Sequence, residues 1–259
     1  MRSLLTVLLT AVVTLAAGPT LAADYDEGIE YQLIQPPLRA TPDNGTVEVA
    51  EVFWYGCPHC YYLEPDVNEW LARKPANVQF VRVPAPLNPS WAVHTRAYYA
   101  AQAMGVLDKI HEPLFEAIHK DKRQLYSDAA LAAFFAEQGI DETEYLNTTR
   151  SFGVAKEARR ALSLGQKWKV HGVPAIVVNG KYLTNVESAG GSPAKLFALI
   201  DYLVAKESPA QPVNASATAT DGESPKATEV DPSAAPSAAP SAAQGVNGAL
   251  PTQVPGESG

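Results

Sequence analysis

Between residues 47 and 84 the apolar positions run almost continuously, change to helical spacing, and then run on again. Val47 to Tyr55 is mostly β-branched, aromatic or small and apolar, the pattern of a buried strand, and Gly56 ends it. From Cys57 onward, Cys57, Cys60, Leu63, Glu64, Val67, Trp70 and Leu71 fall near a 3.6-residue period, which predicts a helix. Pro65 lies inside that pattern and lacks an N–H for the Tyr61 carbonyl, so a kink is expected there. Val78 to Pro84, "VQFVRVP", reads as a second strand, giving a strand–helix–strand unit with a parallel crossover.

The period then stays helical for about ninety residues. Trp91 to Gly105, Val106 to Lys120, Ser127 to Gly139 and Asp141 to Val170 carry apolar stripes, with Gly105 and Gly139 as C-terminal stops. The last segment is long for one helix, and a break is expected near Phe152-Gly153. A hairpin follows. Ala175 to Val178 is an apolar strand, Asn179-Gly180 a type I′ turn, and Lys181 to Thr184 the return. Ser192 as N-cap and Pro193 at the first helical position open a final amphipathic helix to about Lys206. Strands that resume only after a long helical block predict an α/β domain with an inserted helical subdomain at about 88–170.

The two ends differ from this middle. Met1 to Ala22 has a basic start at Arg2, an apolar stretch from Leu4 to Ala17 and a small-residue cleavage pattern at Thr20-Leu21-Ala22, so it reads as a secretory signal peptide. Ser208 to Gly259 has no aromatic residue and includes the repeat "PSAAPSAAPSAA" from Pro232 to Ala243; it reads as a disordered tail. The folding domain is therefore 23–207, long enough for one sizeable core. The formal net charge of the 259-residue chain is −8. With Lys156, Arg159 and Arg160 as the one local basic cluster, read as a solvated helix face, nucleic acid is not an expected partner.

Both cysteines of the chain, Cys57 and Cys60, stand together as C-P-H-C. A disulfide-stapled exported scaffold would carry many more, and structural zinc would need more ligands, so no metal site is expected. At a helix start the unpaired backbone N–H groups and the helix dipole favour a thiolate on Cys57. Cys60, one turn further in, is expected to be more buried. Pro58 suits the first helical turn, and a protonated His59 adds positive potential beside the sulfur. A stabilised thiolate makes the disulfide easy to reduce, and so makes the protein an oxidant of other thiols. A substrate thiolate would attack Cys57, form a mixed disulfide, and be released when a second substrate thiol displaces Cys57. A structural disulfide and a two-thiolate Cu(I) site are the competing readings of the motif. His94, His111 and His119 lie in helical segments and read as packing or surface residues.

"FWYGCPHC" followed by "HGVPAIVVNGKY" resembles the DsbA family of periplasmic thiol:disulfide oxidoreductases, over roughly Tyr25 to Lys206. The resemblance implies a thioredoxin-like fold and a disulfide donated to newly exported proteins that carry free thiols. It also implies a periplasmic, monomeric protein that needs no cofactor beyond its own dithiol and is reoxidised by a DsbB-type membrane quinone reductase. A reductase or isomerase of the same fold is the alternative within the class. Pro174 would be the cis-proline facing the disulfide, with the Val173 backbone pairing with substrate, and His171 near the rim. Glu51 and Glu64 would form a charged group beneath the disulfide with a basic residue on the next strand. That position is Arg82, where the family pattern has lysine. Such a group could exchange a proton with Cys60, tune the pair, or be a structural ion pair.

Overall fold

The computed structural model describes residues 25–208, so the expectations for the leader and the tail lie outside the described residues. Strand β1 (Gln32–Leu33) is a two-residue edge, and β2 (Val47–Phe53) is the centre of the sheet. Every residue of β2 is buried, because layers cover both of its faces. Helix α1 (Pro58–Arg73) follows it and β3 (Val78–Pro84) returns parallel to it, with Glu51 directly opposite Arg82. Five helices come next: α2 (Pro89–Ala103), α3 (Leu107–His119), α4 (Asp128–Glu137), α5 (Glu142–Thr149) and α6 (Phe152–Lys167). Strands β4 (Ala175–Val178) and β5 (Tyr182–Thr184) complete a five-stranded sheet of order β1-β5-β4-β2-β3, and α7 (Pro193–Glu207) closes the described chain.

Alternation along the strands sorts side chains into two cores. Val47, Val49, Ile176 and Val178 pack with Leu63, Val67 and Trp70 of α1 and with Leu196, Leu199 and Ile200 of α7. Ala50, Val52, Ala175 and Val177 pack on the other face with the helical block, where Leu114, Phe115, Leu131, Phe135 and Trp168 are buried. The fold is α/β and thioredoxin-like, with the helical subdomain inserted between β3 and β4.

Local chemistry sets the ends of the elements. Gly105 and Gly139 stop their helices at φ of 69° and 73°. Asn179 and Gly180 both have positive φ, as a type I′ turn requires, and Lys181 closes that turn by donating its N–H to the Val178 carbonyl, so β5 begins one residue later than the apolar pattern suggests. The long helical segment breaks at Arg150-Ser151, near Phe152-Gly153 as its length predicts. The Ser151 hydroxyl accepts from the Val154 N–H and starts a new helix there. Helix α1 runs without interruption through Pro65 to Arg73. Strand β1 has no counterpart in the hydrophobic pattern; its two residues pair with β5 and carry no strand signal of their own.

Candidate active site

Cys57 is the N-cap of α1, in extended conformation, with Pro58 as the first helical residue. The chain reaches it through a tight turn in which the Cys57 N–H donates to the Trp54 carbonyl at 2.9 Å. Gly56 is required in this turn: a Cβ there would collide with the Trp54 indole, which itself stacks on Trp91 at 4.3 Å between centroids. Both cysteines are free thiols, so the geometry is that of the reduced protein.

The two sulfurs sit in opposite environments. A hydrogen bond from the Cys60 thiol lowers the Cys57 pKa most. Burial works against it, and the His59 and Cys60 N–H groups and the His59 ring lower it further, to about 6. No backbone donor makes a formal capping bond to the Cys57 sulfur, so these N–H groups act on it as weaker electrostatic partners. Cys60 has no exposed surface, and burial drives its pKa far upward, with the hydrogen bond to Cys57 and the Cys57 charge adding to the rise. In the reduced state one thiol is therefore an anion near neutrality and the other keeps its proton.

Val173-Pro174 is a cis bond next to this pair. The Val173 carbonyl lies 3.5 Å from the Cys57 sulfur, a hydrogen bond available to the thiol form alone. His59, Tyr62, His171, Val173 and Pro174 line part of an open groove of about 630 Å³. His59 and Tyr62 are exposed beside it, and an apolar groove with backbone available at its rim suits an extended peptide.

Beneath the thiols lies a charged group. Arg82 on β3 donates through Nε to Glu51 at 3.2 Å and through a terminal nitrogen to Glu64 at 2.9 Å. One guanidinium thus reaches both acids, which a lysine point charge does not do with fixed geometry. Burial would raise Glu64, but the His111 hydrogen bond and Arg82 outweigh it and hold Glu64 below the usual carboxylate range. Glu51 is fully buried, and desolvation followed by the Glu64 charge pushes it up to about 8 in spite of Arg82. Arg82 therefore serves the two acids unequally: Glu64 is held as the anion, and Glu51, hydrogen-bonded to the same cation but fully buried, is the acid pushed toward keeping its proton. A protonated Glu51 removes the charge conflict with the Cys57 thiolate.

His94 packs in the core, with Nε2 2.7 Å from the Leu125 carbonyl, and His119 lies 2.7 Å from the Tyr55 carbonyl and stacks on Tyr61. His111 departs from the expected packing role. Its Nε2 is 3.2 Å from Glu64 and its Nδ1 is 2.8 Å from the Tyr55 hydroxyl, so it belongs to the charged group. The signal for it is its place at the spacing of Leu114, Phe115 and Ile118, on the buried stripe of α3. A polar ring on an apolar stripe needs a partner, but nothing local in the sequence names Glu64 as that partner.

A thioredoxin-like sheet with a C-x-x-C at the start of α1 and a cis-proline beside it defines a protein thiol:disulfide oxidoreductase. Residues 48–198 match the DSBA-like thioredoxin domain. The thiol:disulfide interchange protein DsbA of Pseudomonas aeruginosa is 40% identical over 207 residues, covering 80% of this chain and 97% of that one. The DsbA of Azotobacter vinelandii is 40% identical over 187 residues, 72% of this chain and 87% of that one. Among solved structures, the Pseudomonas aeruginosa DsbA crystal structure matches with a TM-score of 0.67 at 41% identity, covering 71% of this chain and 94% of that one. The chain belongs to the DsbA family of thiol:disulfide interchange proteins.

Proposed function

We propose that the Cys57–Cys60 disulfide is donated to unfolded exported proteins in the periplasm, and that Cys57 is the sulfur they attack. The observation that carries this reading is the asymmetry of the pair. Cys57 keeps a 7% exposed edge and has a pKa of about 6, whereas Cys60 has no exposed surface and its pKa is far raised. A substrate thiolate attacks Cys57 and releases Cys60, which takes up a proton. A second substrate thiolate then attacks the substrate's own sulfur in the mixed disulfide and releases Cys57 as a thiolate. The substrate dithiol loses two electrons and the Cys57–Cys60 disulfide gains them. Cys57 leaves readily because its thiolate is stabilised.

In this reading Pro58 and His59 tune Cys57, and the substrate chain lies along the groove at Val173 and Pro174. The acids and Arg82 serve Cys60. The dithiol is the only redox group used, one monomer suffices, and a membrane quinone reductase of the DsbB type restores the disulfide. The test is to equilibrate the mature protein with glutathione and to follow oxidation of a peptide dithiol. The proposal predicts a disulfide far more oxidising than an unstrained protein disulfide and stoichiometric peptide oxidation. A reducing, thioredoxin-like equilibrium with no peptide oxidation would overturn it.

A further inference from the structure

Of the two neighbouring acids, one keeps its proton, and their partners differ accordingly. Both oxygens of Glu64 have partners, Arg82 on Oε2 and His111 on Oε1. Glu51 has the longer Arg82 contact on Oε2, and its Oε1 has no protein partner. His111 comes from α3, in the inserted helical subdomain, and its tautomer follows from its neighbours. A carboxylate only accepts, so Nε2 carries the proton and donates to Glu64; Nδ1 then accepts from the Tyr55 hydroxyl. Burial lowers the His111 pKa and keeps the ring neutral, so it supplies a donor without adding a charge.

Of these residues Glu64, Arg82 and His111 open to solvent on their own side, whereas Glu51 and Tyr55 stay buried. Glu64, Asn68, Arg82, Asp108, His111 and Glu112 line a polar cleft of about 190 Å³. None of these residues lines the groove beside the cis-proline.

We propose that His111 is a positioning residue for the dithiol chemistry: its Nε2–H holds Glu64 as the ionised partner of Arg82 and so leaves Glu51 as the carboxyl that carries a proton for Cys60. This rests on the reading of Cys57 and Cys60 given above. When substrate attack releases Cys60 as a thiolate, the Glu51 carboxyl gives up its proton. Cys60 becomes a thiol and Glu51 a carboxylate, and one proton from solvent restores Glu51. No other oxidant or reductant enters the step. The groups that face this one are Tyr55 after β2, Cys60 and Glu64 on α1, Arg82 on β3, Tyr98 on α2, and Asp108 and Glu112 on α3. Burial keeps both tyrosines protonated well above neutrality, which leaves the two glutamates as the acids that divide the Arg82 charge.

The test follows the Glu51 carboxyl in the reduced mature protein by infrared or carbon NMR titration, beside the Cys57 thiolate absorbance. His111→Leu removes the donor; His111→Gln keeps an N–H. In His111→Leu the Glu51 midpoint is expected to fall by at least about one unit, a tenfold larger acid dissociation constant. The Cys57 midpoint should rise with it, and His111→Gln should restore both. A Glu51 midpoint that stays in place in folded His111→Leu, or moves equally in His111→Gln, overturns the proposal. Should the leucine variant not fold, Glu64→Gln tests the same division with His111 intact, because a neutral amide in place of the Glu64 carboxylate frees Arg82 for Glu51. A Glu51 midpoint unmoved in Glu64→Gln also overturns it. Failure of the wild-type protein to oxidise a peptide dithiol would remove the proposed function instead, and the Glu51 titration would still decide the role of His111.

Discussion

Two glutamates stand three residues apart on the central strand, both without exposed surface, and they are treated in opposite ways. Glu48 accepts from the backbone N–H groups of Ala40 and Thr41, each at 2.7 Å, and from the Thr41 hydroxyl. Its oxygens are saturated by groups that the fold holds in place. Glu51 has one shared cation and an oxygen with no protein partner. The first acid ties the loop before β2 to the strand. The second is left under-partnered directly below the thiols, with a pKa of about 8. Burial alone does not mark a functional acid; burial without saturating partners does.

Substitutions on and around these two acids can break the contrast. The largest effect belongs to the sulfurs above Glu51: Cys57→Ser should abolish peptide-dithiol oxidation, whereas the Cys57 thiolate of Cys60→Ser, mixed with an oxidised peptide disulfide, should attack it and accumulate a mixed disulfide detectable by mass. Next is Glu48→Ala, which strands two backbone donors and should cost about 3 kcal/mol in urea unfolding. It should leave the Cys57 titration unchanged; a Cys57 shift as large as that of a Glu51 variant would erase the distinction between the two acids.

Glu51→Gln should act in the opposite sense on stability. The folded pKa of Glu51, about 8, lies above its ordinary 4.5, so its folded state binds a proton that the unfolded chain releases. Wild-type stability from this group is full below about 4.5 and is lost as pH rises through 8. The glutamine variant lacks that loss and should be more stable at pH 8, by on the order of 2 kcal/mol. Its mixed-disulfide step should slow by on the order of 100-fold, because a general acid has been removed. Equal unfolding midpoints for the two proteins across this pH range would contradict the account. The smallest effect is expected from Arg82→Lys, which keeps the charge and loses the fork. The Cys57 midpoint should move by under about one unit.

Much of this was legible in the sequence, and for identifiable reasons. Strand β4 follows from an unbroken apolar run, β3 from a mostly apolar, β-branched and aromatic one interrupted by Gln79 and Arg82, and α7 from Ser192 and Pro193, because those signals are local. The C-P-H-C spacing gave the asymmetric thiols for the same reason. Strand β1 was not legible, since two residues pair only because β5 is there to receive them. The break near Phe152 was legible from the length of the helical segment, and the Ser151 hydroxyl sets the residue at which the new helix starts. Glu51, Glu64 and Arg82 entered through resemblance, and the structure adds how they divide one charge. His111 joins them across 47 residues of chain, a distance over which periodicity carries no information.

Titration of the Cys57 thiolate absorbance in the reduced protein, beside the unfolding free energies of the reduced and oxidised forms, tests the central claim most directly. The folded pKa of about 6 lies below the ordinary 9.0, so the thiolate's contribution is full above about 9 and is lost as pH falls through 6. The account predicts a single transition near pH 6, absent in Cys57→Ser, and a stability gap favouring the reduced form that shrinks as pH falls through that value. A midpoint at the ordinary thiol value of 9.0, with a gap that does not change between about pH 5 and 8, would contradict it.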